Sequence, residues 1–235
     1  MDSTKAALSA LAVRELSKRD VCYLGIGSGT TIGFFIEELG QSSREFIIIP
    51  TSIDTEIRVS SKQFCQKIES AEISPDLAVD GADEVEQSTK WILKGGGGAL
   101  TREKIVAYSA KEFWILADSS KIVEKLGLAR PVPIEVLPFG WKRTKHLIER
   151  LGGTCQLRQA TGKLGPVITD NGNYLLDFQS NCDWNPKEME NDLNQIPGVV
   201  ENGIFTRIPD KLFVAEIKTA KILTFEAEQF LSRIR

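Results

Sequence analysis

The sequence predicts an α/β chain: a doubly wound, mostly parallel sheet carrying a smaller α+β insertion. Three observations lead there. Short apolar runs of strand length alternate with helical-period segments through about residue 126. Two of those runs, Val21–Leu24 and Trp91–Leu93, open directly into glycine-rich turns followed by helices. After Pro131, Pro133 and Pro138 the order changes to strand, helix, strands, helix, strand, a compact split-βαβ pattern.

The elements follow in order. Residues 4–18 read as an amphipathic helix with Ala7, Leu8, Leu11 and Leu16 inward. Val21–Leu24 is a strand, and after Gly25–Thr31 a helix places Ile32, Phe35, Ile36 and Leu39 on one face, with Gly40 at its end. Phe46–Ile49 is a buried strand stopped by Pro50, with a helix from about Asp54 to Phe64. Leu77–Val79 is the next strand, with Asp80 at its carboxyl end. Ala99–Phe113 reads as a helix burying Leu100, Ile105, Tyr108 and Phe113, and Phe113–Ala117 as a strand ending at Asp118-Ser119-Ser120-Lys121. Ile134–Val136 is expected as a short edge strand at a domain boundary. A helix over 140–151, a strand near 155–158, a hairpin through Asp170-Asn171-Gly172-Asn173, a helix begun by Asn185-Pro186 and a strand from Gly198 to Phe205 complete the insertion. Leu212–Ala215 rejoins the first sheet, and 222–235 is expected to be a final helix. The predicted division is 1–128 and 207–235 for the sheet domain and 129–206 for the insertion.

Composition narrows the function. The 235 residues are 42% hydrophobic and 26% charged with net charge −3, ordinary for a water-soluble domain. No basic run suggests a nucleic-acid partner, and no segment has secretory or membrane-spanning character. Cys22, Cys65, Cys155 and Cys182 form no C-x-x-C pair, so reduced thiols in a cytoplasm are expected, with Cys22 in the core. The one histidine, His146, lies beside Arg143 and Lys145 on a solvated helix face. Proton transfer near neutral pH then falls to carboxylate, lysine, tyrosine or cysteine.

Two stretches carry the chemistry. Gly25-Ile26-Gly27-Ser28-Gly29-Thr30-Thr31 lacks the final glycine of a dinucleotide fingerprint, and Pro50-Thr51-Ser52 stands where a ribose-binding acid is wanted. Its hydroxyls beside free amides suit a single phosphate; the plainer alternative is a capped turn. The second stretch, Asp80 to Lys104, holds Asp80, Asp83, Glu84, Lys94, the run Gly95–Gly98 and Glu103. Each ordered glycine costs about 0.5–1 kcal/mol relative to alanine, so the run is either a flexible loop or a turn whose amides meet an anion. Asp80 and Asp83 can face one cleft, with Glu103 a base in the first turn of the next helix. A hard-cation site at Asp80, Asp83 and Glu84, or a surface ion-pair network, are the competing readings; no metal is required.

These motifs, with Val79-Asp80-Gly81-Ala82-Asp83-Glu84, Lys94–Lys104, Ala117–Lys121, Leu151-Gly152-Gly153, Thr169–Asn173 and Ile196–Val200, closely resemble ribose-5-phosphate isomerase, type A, along nearly the whole chain. Two departures are Gly98, where alanine is expected, and a longer tail after about Lys221. The resemblance implies a Rossmann-like catalytic domain with a ferredoxin-like insertion. It implies cofactor- and metal-free interconversion of ribose 5-phosphate and ribulose 5-phosphate through a cis-enediolate, in the cytoplasm, by a homodimer or homotetramer. It makes Glu103 the base, Asp80 an assistant in ring opening and oxygen proton movement, and Lys94 with the amides of Gly95, Gly96 and Gly97 the stabiliser of enediolate charge. Ser28, Gly29, Thr30, Thr31 and Lys121 then hold substrate, the phosphate foremost, and Gly81, Ala82 and Asp83 complete the sugar contacts. A non-catalytic sugar-phosphate sensor on the same fold is the rival reading.

Overall fold

The computed structural model describes residues 2–162, 164–217 and 221–226. In chain order the elements are α1 (Asp2–Leu16), β1 (Tyr23–Ile26), α2 (Thr30–Leu39), β2 (Phe46–Pro50), α3 (Ile53–Ser60), β3 (Cys65–Ile68), β4 (Leu77–Gly81), β5 (Glu84–Glu86), β6 (Ile92–Leu93), α4 (Leu100–Ser109), β7 (Glu112–Asp118) and β8 (Ile122–Val123). They continue with β9 (Val132–Val136), α5 (Trp141–Glu149), β10 (Gly153–Leu157), β11 (Tyr174–Ser180), α6 (Pro186–Asn194), β12 (Val199–Asn202), β13 (Ile204–Phe205), β14 (Lys211–Ala215) and β15 (Ile222–Glu226). Two compact units emerge: 1–82, 102–122 and 208–235 form one, 83–101 and 123–207 the other. The expected first segment of 1–128 is thus interrupted. Residues 83–101 cluster with the second unit because β5 and β6 pair with each other and β6 pairs with β13.

The first unit is a seven-stranded sheet in the order β15-β14-β7-β4-β1-β2-β3, parallel except for β15. It is the doubly wound, Rossmann-like arrangement the alternation predicts. Its core joins Leu8, Ala12 and Leu16 of α1, Ile32, Phe35, Ile36 and Leu39 of α2, and Trp114, Leu116 and Phe213. The chain runs from β1 outward to β3, then returns to β4 on the other side of β1. This reversal between β1 and β4 is where open α/β sheets bind ligands, beyond the carboxyl ends of the strands.

The second unit contains a four-stranded antiparallel sheet, β10-β11-β9-β12, with α5 and α6 in β-α-β-β-α-β succession. This is the ferredoxin-like insertion. A smaller sheet runs β13-β6-β5-β8. The Thr169–Asn173 turn has a structural purpose here. Thr169 Oγ1 and Asn173 Nδ2 each donate to Glu135 Oε1 at 2.8 Å, Asn171 Nδ2 donates at 3.1 Å, and the Thr101 hydroxyl donates to Oε2. Glu135 is wholly buried, and a buried carboxylate is tolerated when its lone pairs are this fully engaged.

Several expectations are corrected. In α1, Ala12 joins the expected Leu8 and Leu16 in the core, and Ala7 is exposed. Cys22 is exposed and precedes the first strand, which starts at Tyr23 and not at Val21. Ile105 and Tyr108 of α4 are exposed; the helix turns Val106 and Ala107 inward instead. β9 is not an edge strand but is flanked by β11 and β12, and Pro133 is accommodated within it. The first arm of the hairpin is reduced to isolated bridges at Ile168–Tyr174 and Gln159–Pro166. Ile222–Glu226 is a strand, not the start of a helix; 227–235 lie outside the described residues.

Candidate active site

In the first unit the site is built at the carboxyl ends of β1, β2, β4 and β7. β1 ends in Gly27-Ser28-Gly29, and Gly29, at φ 98°, starts α2 without a side-chain cap. A non-glycine residue is strained at that angle. The turn therefore leaves the first amides of α2 without a capping side chain, the usual geometry of an anion site. Thr30 and Thr31 open the helix, and Lys5 Nζ, from α1, donates to Thr30 Oγ1 at 2.9 Å.

Beside this turn lies Asp80, the buried penultimate residue of β4. Its Oδ1 accepts from the amides of Gly81 at 2.7 Å and Ser28 at 3.3 Å. The fit depends on Gly27, where a Cβ would lie 1.9 Å from Asp80 Oδ1.

Glu103 comes to the same place through helix packing. A Cβ on Gly25 would meet Val106 Cγ1 at 2.6 Å, so the missing side chain lets α4 lie against β1. Glu103 is one turn earlier on the same face. It reaches Ser28, three residues further along, whose Oγ donates to Glu103 Oε1 at 2.7 Å. Glu103 is 5% exposed. Thr51, after β2, has its hydroxyl 3.4 Å from Ser28 Oγ, and Thr55 Oγ1 donates to Gly27 O at 2.7 Å. Lys121 ends the 3-10 turn Ser119–Lys121 that follows β7, the strand beside β4. Ser28, Asp80, Gly81 and Glu103 are thus joined by hydrogen bonds, with Gly29, Thr30 and Thr31 in the adjoining turn and Ala82 two residues past Asp80.

In the second unit, Asp83 Oδ2 accepts from the Gly96 amide at 2.6 Å. A Cβ on Gly96 would collide with that carboxylate at 2.6 Å. Lys94 is buried; its amide donates to Gly203 O at 2.9 Å and its ammonium lies 6.0 Å from the Phe205 ring centre. The turn is closed by Gly98 N donating to Gly95 O at 3.0 Å, and Gly97 is open on its Cβ side. Gly98 has φ 87°, so the glycine that replaces the expected alanine occupies a left-handed position.

Lys5, Thr51 and Thr55 were not legible as site residues. Lys5 sits in a helix whose sequence signals only amphipathicity, and the threonines reach the turn by folding alone. Among the described residues no group of three or more His, Cys, Asp or Glu is placed to hold a metal ion, and no helix is long and apolar enough to cross a membrane.

Fold and site together define an α/β protein with two buried carboxylates, Asp80 and Glu103, at the switch point of a parallel sheet. The family model of ribose 5-phosphate isomerase A (phosphoriboisomerase A) matches residues 47–219. The ribose-5-phosphate isomerase A of Methanocaldococcus jannaschii is 43% identical over 209 residues, covering 87% of this chain and 91% of its own. That of Methanococcus aeolicus is 44% identical over 220 residues, with 90% and 92% covered. The solved structure of the M. jannaschii protein matches with a TM-score of 0.87 and 40% identity over 96% of this chain and 99% of that one. A D-ribose-5-phosphate isomerase solved with phospho-erythronic acid matches at 0.86 and 35% identity over 96% and 98%. The chain belongs to the ribose 5-phosphate isomerase A family.

Proposed function

We propose that this chain interconverts D-ribose 5-phosphate and D-ribulose 5-phosphate, with Glu103 as the base. Glu103 removes the proton from C2 of the open-chain aldose, and the charge left behind moves onto O1. The resulting cis-enediolate passes the O2 proton to O1 and is reprotonated at C1 by the acid form of Glu103, which leaves the ketone at C2. Asp80 assists ring opening and the movement of protons between the oxygens. The phosphate is held by the Ser28–Thr31 turn, Lys5 and Lys121. The roles of Lys94 and of the Gly95–Gly97 amides, as stabilisers of enediolate charge, and of Asp83 on the sugar hydroxyls, rest on the family's motifs.

The observation that supports this reading best is the double engagement of Ser28: its hydroxyl binds Glu103 and its amide binds Asp80, inside an anion-type turn. A phosphate-binding sensor would have no use for a buried glutamate held there. Glu103→Gln in a coupled assay with ribose 5-phosphate, with arabinose 5-phosphate as competitor, tests it. General-base loss costs about 10²–10⁴-fold, so turnover should all but vanish while substrate still binds. Retained turnover removes Glu103 from the chemistry. EDTA should leave the rate unchanged. A homodimer or homotetramer in the cytoplasm is the matching assembly, to be checked by sedimentation.

A further inference from the structure

The glycine run poses a physical problem. It has no side chains with which to fix itself, yet oxyanion donors work only when their directions are set before the charge develops. Arg158, just past β10, meets that need. Its Nη1 donates to Gly95 O at 3.0 Å and to Gly96 O at 3.1 Å. The other edge of the guanidinium forks onto Asp177 of β11, Nε to Oδ2 at 2.9 Å and Nη2 to Oδ1. Asp177 pairs across the sheet with Gln156, and the Arg158 amide donates to Leu175 O at 2.9 Å. The arginine is therefore anchored to the sheet at both its backbone and its head group.

A trans peptide is planar, with C=O and N–H pointing to opposite sides. Pinning Gly95 O fixes the direction of Gly96 N–H, and pinning Gly96 O fixes that of Gly97 N–H. The first consequence is visible: Gly96 N–H points at a carboxylate oxygen, Asp83 Oδ2 at 2.6 Å, so this face of the turn accepts negative oxygen. A cation on the carbonyl side also polarises both peptides and strengthens their donors. We propose that Arg158 is a positioning residue for catalysis, holding the Gly95 and Gly96 carbonyls so that the Gly96 amide is locked on Asp83 and the Gly97 amide is aimed as an oxyanion donor. This rests on the reading above that the turn stabilises the enediolate. A lysine cannot replace it, because a point-like ammonium cannot span two carbonyls and a bidentate carboxylate.

The test uses the full chain with Arg158→Ala and Arg158→Lys. A misplacement of about 1 Å costs about 10²-fold, so kcat should fall by about 30- to 100-fold in both. KM for ribose 5-phosphate should stay within about threefold, since the phosphate grip is elsewhere. The inhibition constant of phospho-erythronic acid, whose carboxylate places charge on paired oxygens, should rise with the loss in kcat. Ethylguanidinium added to Arg158→Ala should recover activity, and ethylammonium should not. Unchanged kcat overturns the proposal. So does a loss that tracks only the folded fraction by circular dichroism, with no guanidinium rescue. Glu103→Gln, assayed in parallel, separates the two readings. A dead Glu103→Gln beside a fully active Arg158→Ala overturns the positioning role alone; an active Glu103→Gln overturns the isomerase base on which it stands.

Discussion

Ser28 Oγ donates to Glu103 Oε1 across 2.7 Å, which ties the turn after β1 to the helix that carries the proposed base. A hydrogen bond to a charged group is worth about 1.5–3 kcal/mol, equivalent to about 10- to 100-fold in rate if it is spent on aiming the base. Ser28→Ala should therefore lower kcat/KM by at least about tenfold, read from steady-state kinetics. A variant with wild-type kcat/KM would show that Glu103 is aimed by other means.

Gly27→Ala tests the close approach at Asp80. The added Cβ would fall 1.9 Å from Oδ1, so the carboxylate or the β1 turn must shift. Overpacking of this kind costs about 1–3 kcal/mol. A lower melting temperature with a large drop in kcat is expected; wild-type values in both would mean the turn relaxes freely.

Lys5 places an ammonium at Thr30, in the turn assigned to the phosphate. Lys5→Ala should raise KM by about tenfold and alter kcat far less, the pattern of lost uniform binding. Raising the salt concentration should narrow the difference from wild type. A KM that does not move removes Lys5 from the phosphate site.

Glu84 supplies a pH test. It is buried, and that burial pushes its pKa above the ordinary 4.5; the Gly127 amide, which donates to Oε2 at 2.8 Å, and Arg130 act against the shift. A raised folded-state pKa means the native state holds the proton more tightly than the unfolded chain. The associated stability is fully present below 4.5 and is lost as pH rises through the raised value. Compared with Glu84→Gln in urea titrations, wild type should lose relative stability as pH climbs from about 4 towards 7. A difference that is flat or grows with pH contradicts the assignment.

Much of the fold was legible because its signals are local. The Ile32, Phe35, Ile36 and Leu39 face of α2, the Asn185-Pro186 start of α6 and the apolar run of β7 each follow from spacing and capping alone. The candidate site was legible as motifs, since glycines and carboxylates are concentrated there in two short spans. What stayed hidden depends on partners distant in sequence. β9 looks like an edge strand because of its prolines, and only the approach of β11 and β12 makes it central. Arg158 is 62 residues from Gly96 and carries no motif of its own pointing there. Ile105 and Tyr108 fit a helical stripe as well as Val106 does; the bare surface of Gly25 decides which face of α4 turns inward.

β15 has one more effect. It lies antiparallel along β14, from Lys211 opposite Glu226 to Ala215 opposite Ile222, and is the outermost strand of its sheet. Without it, the outer rim of β14 would present unsatisfied amides and carbonyls alongside Leu212, Phe213 and Val214, a template for joining another chain. Shortening the polypeptide ahead of Lys221 should thus harm its solubility before its chemistry, because what is stripped away is a cover against self-association.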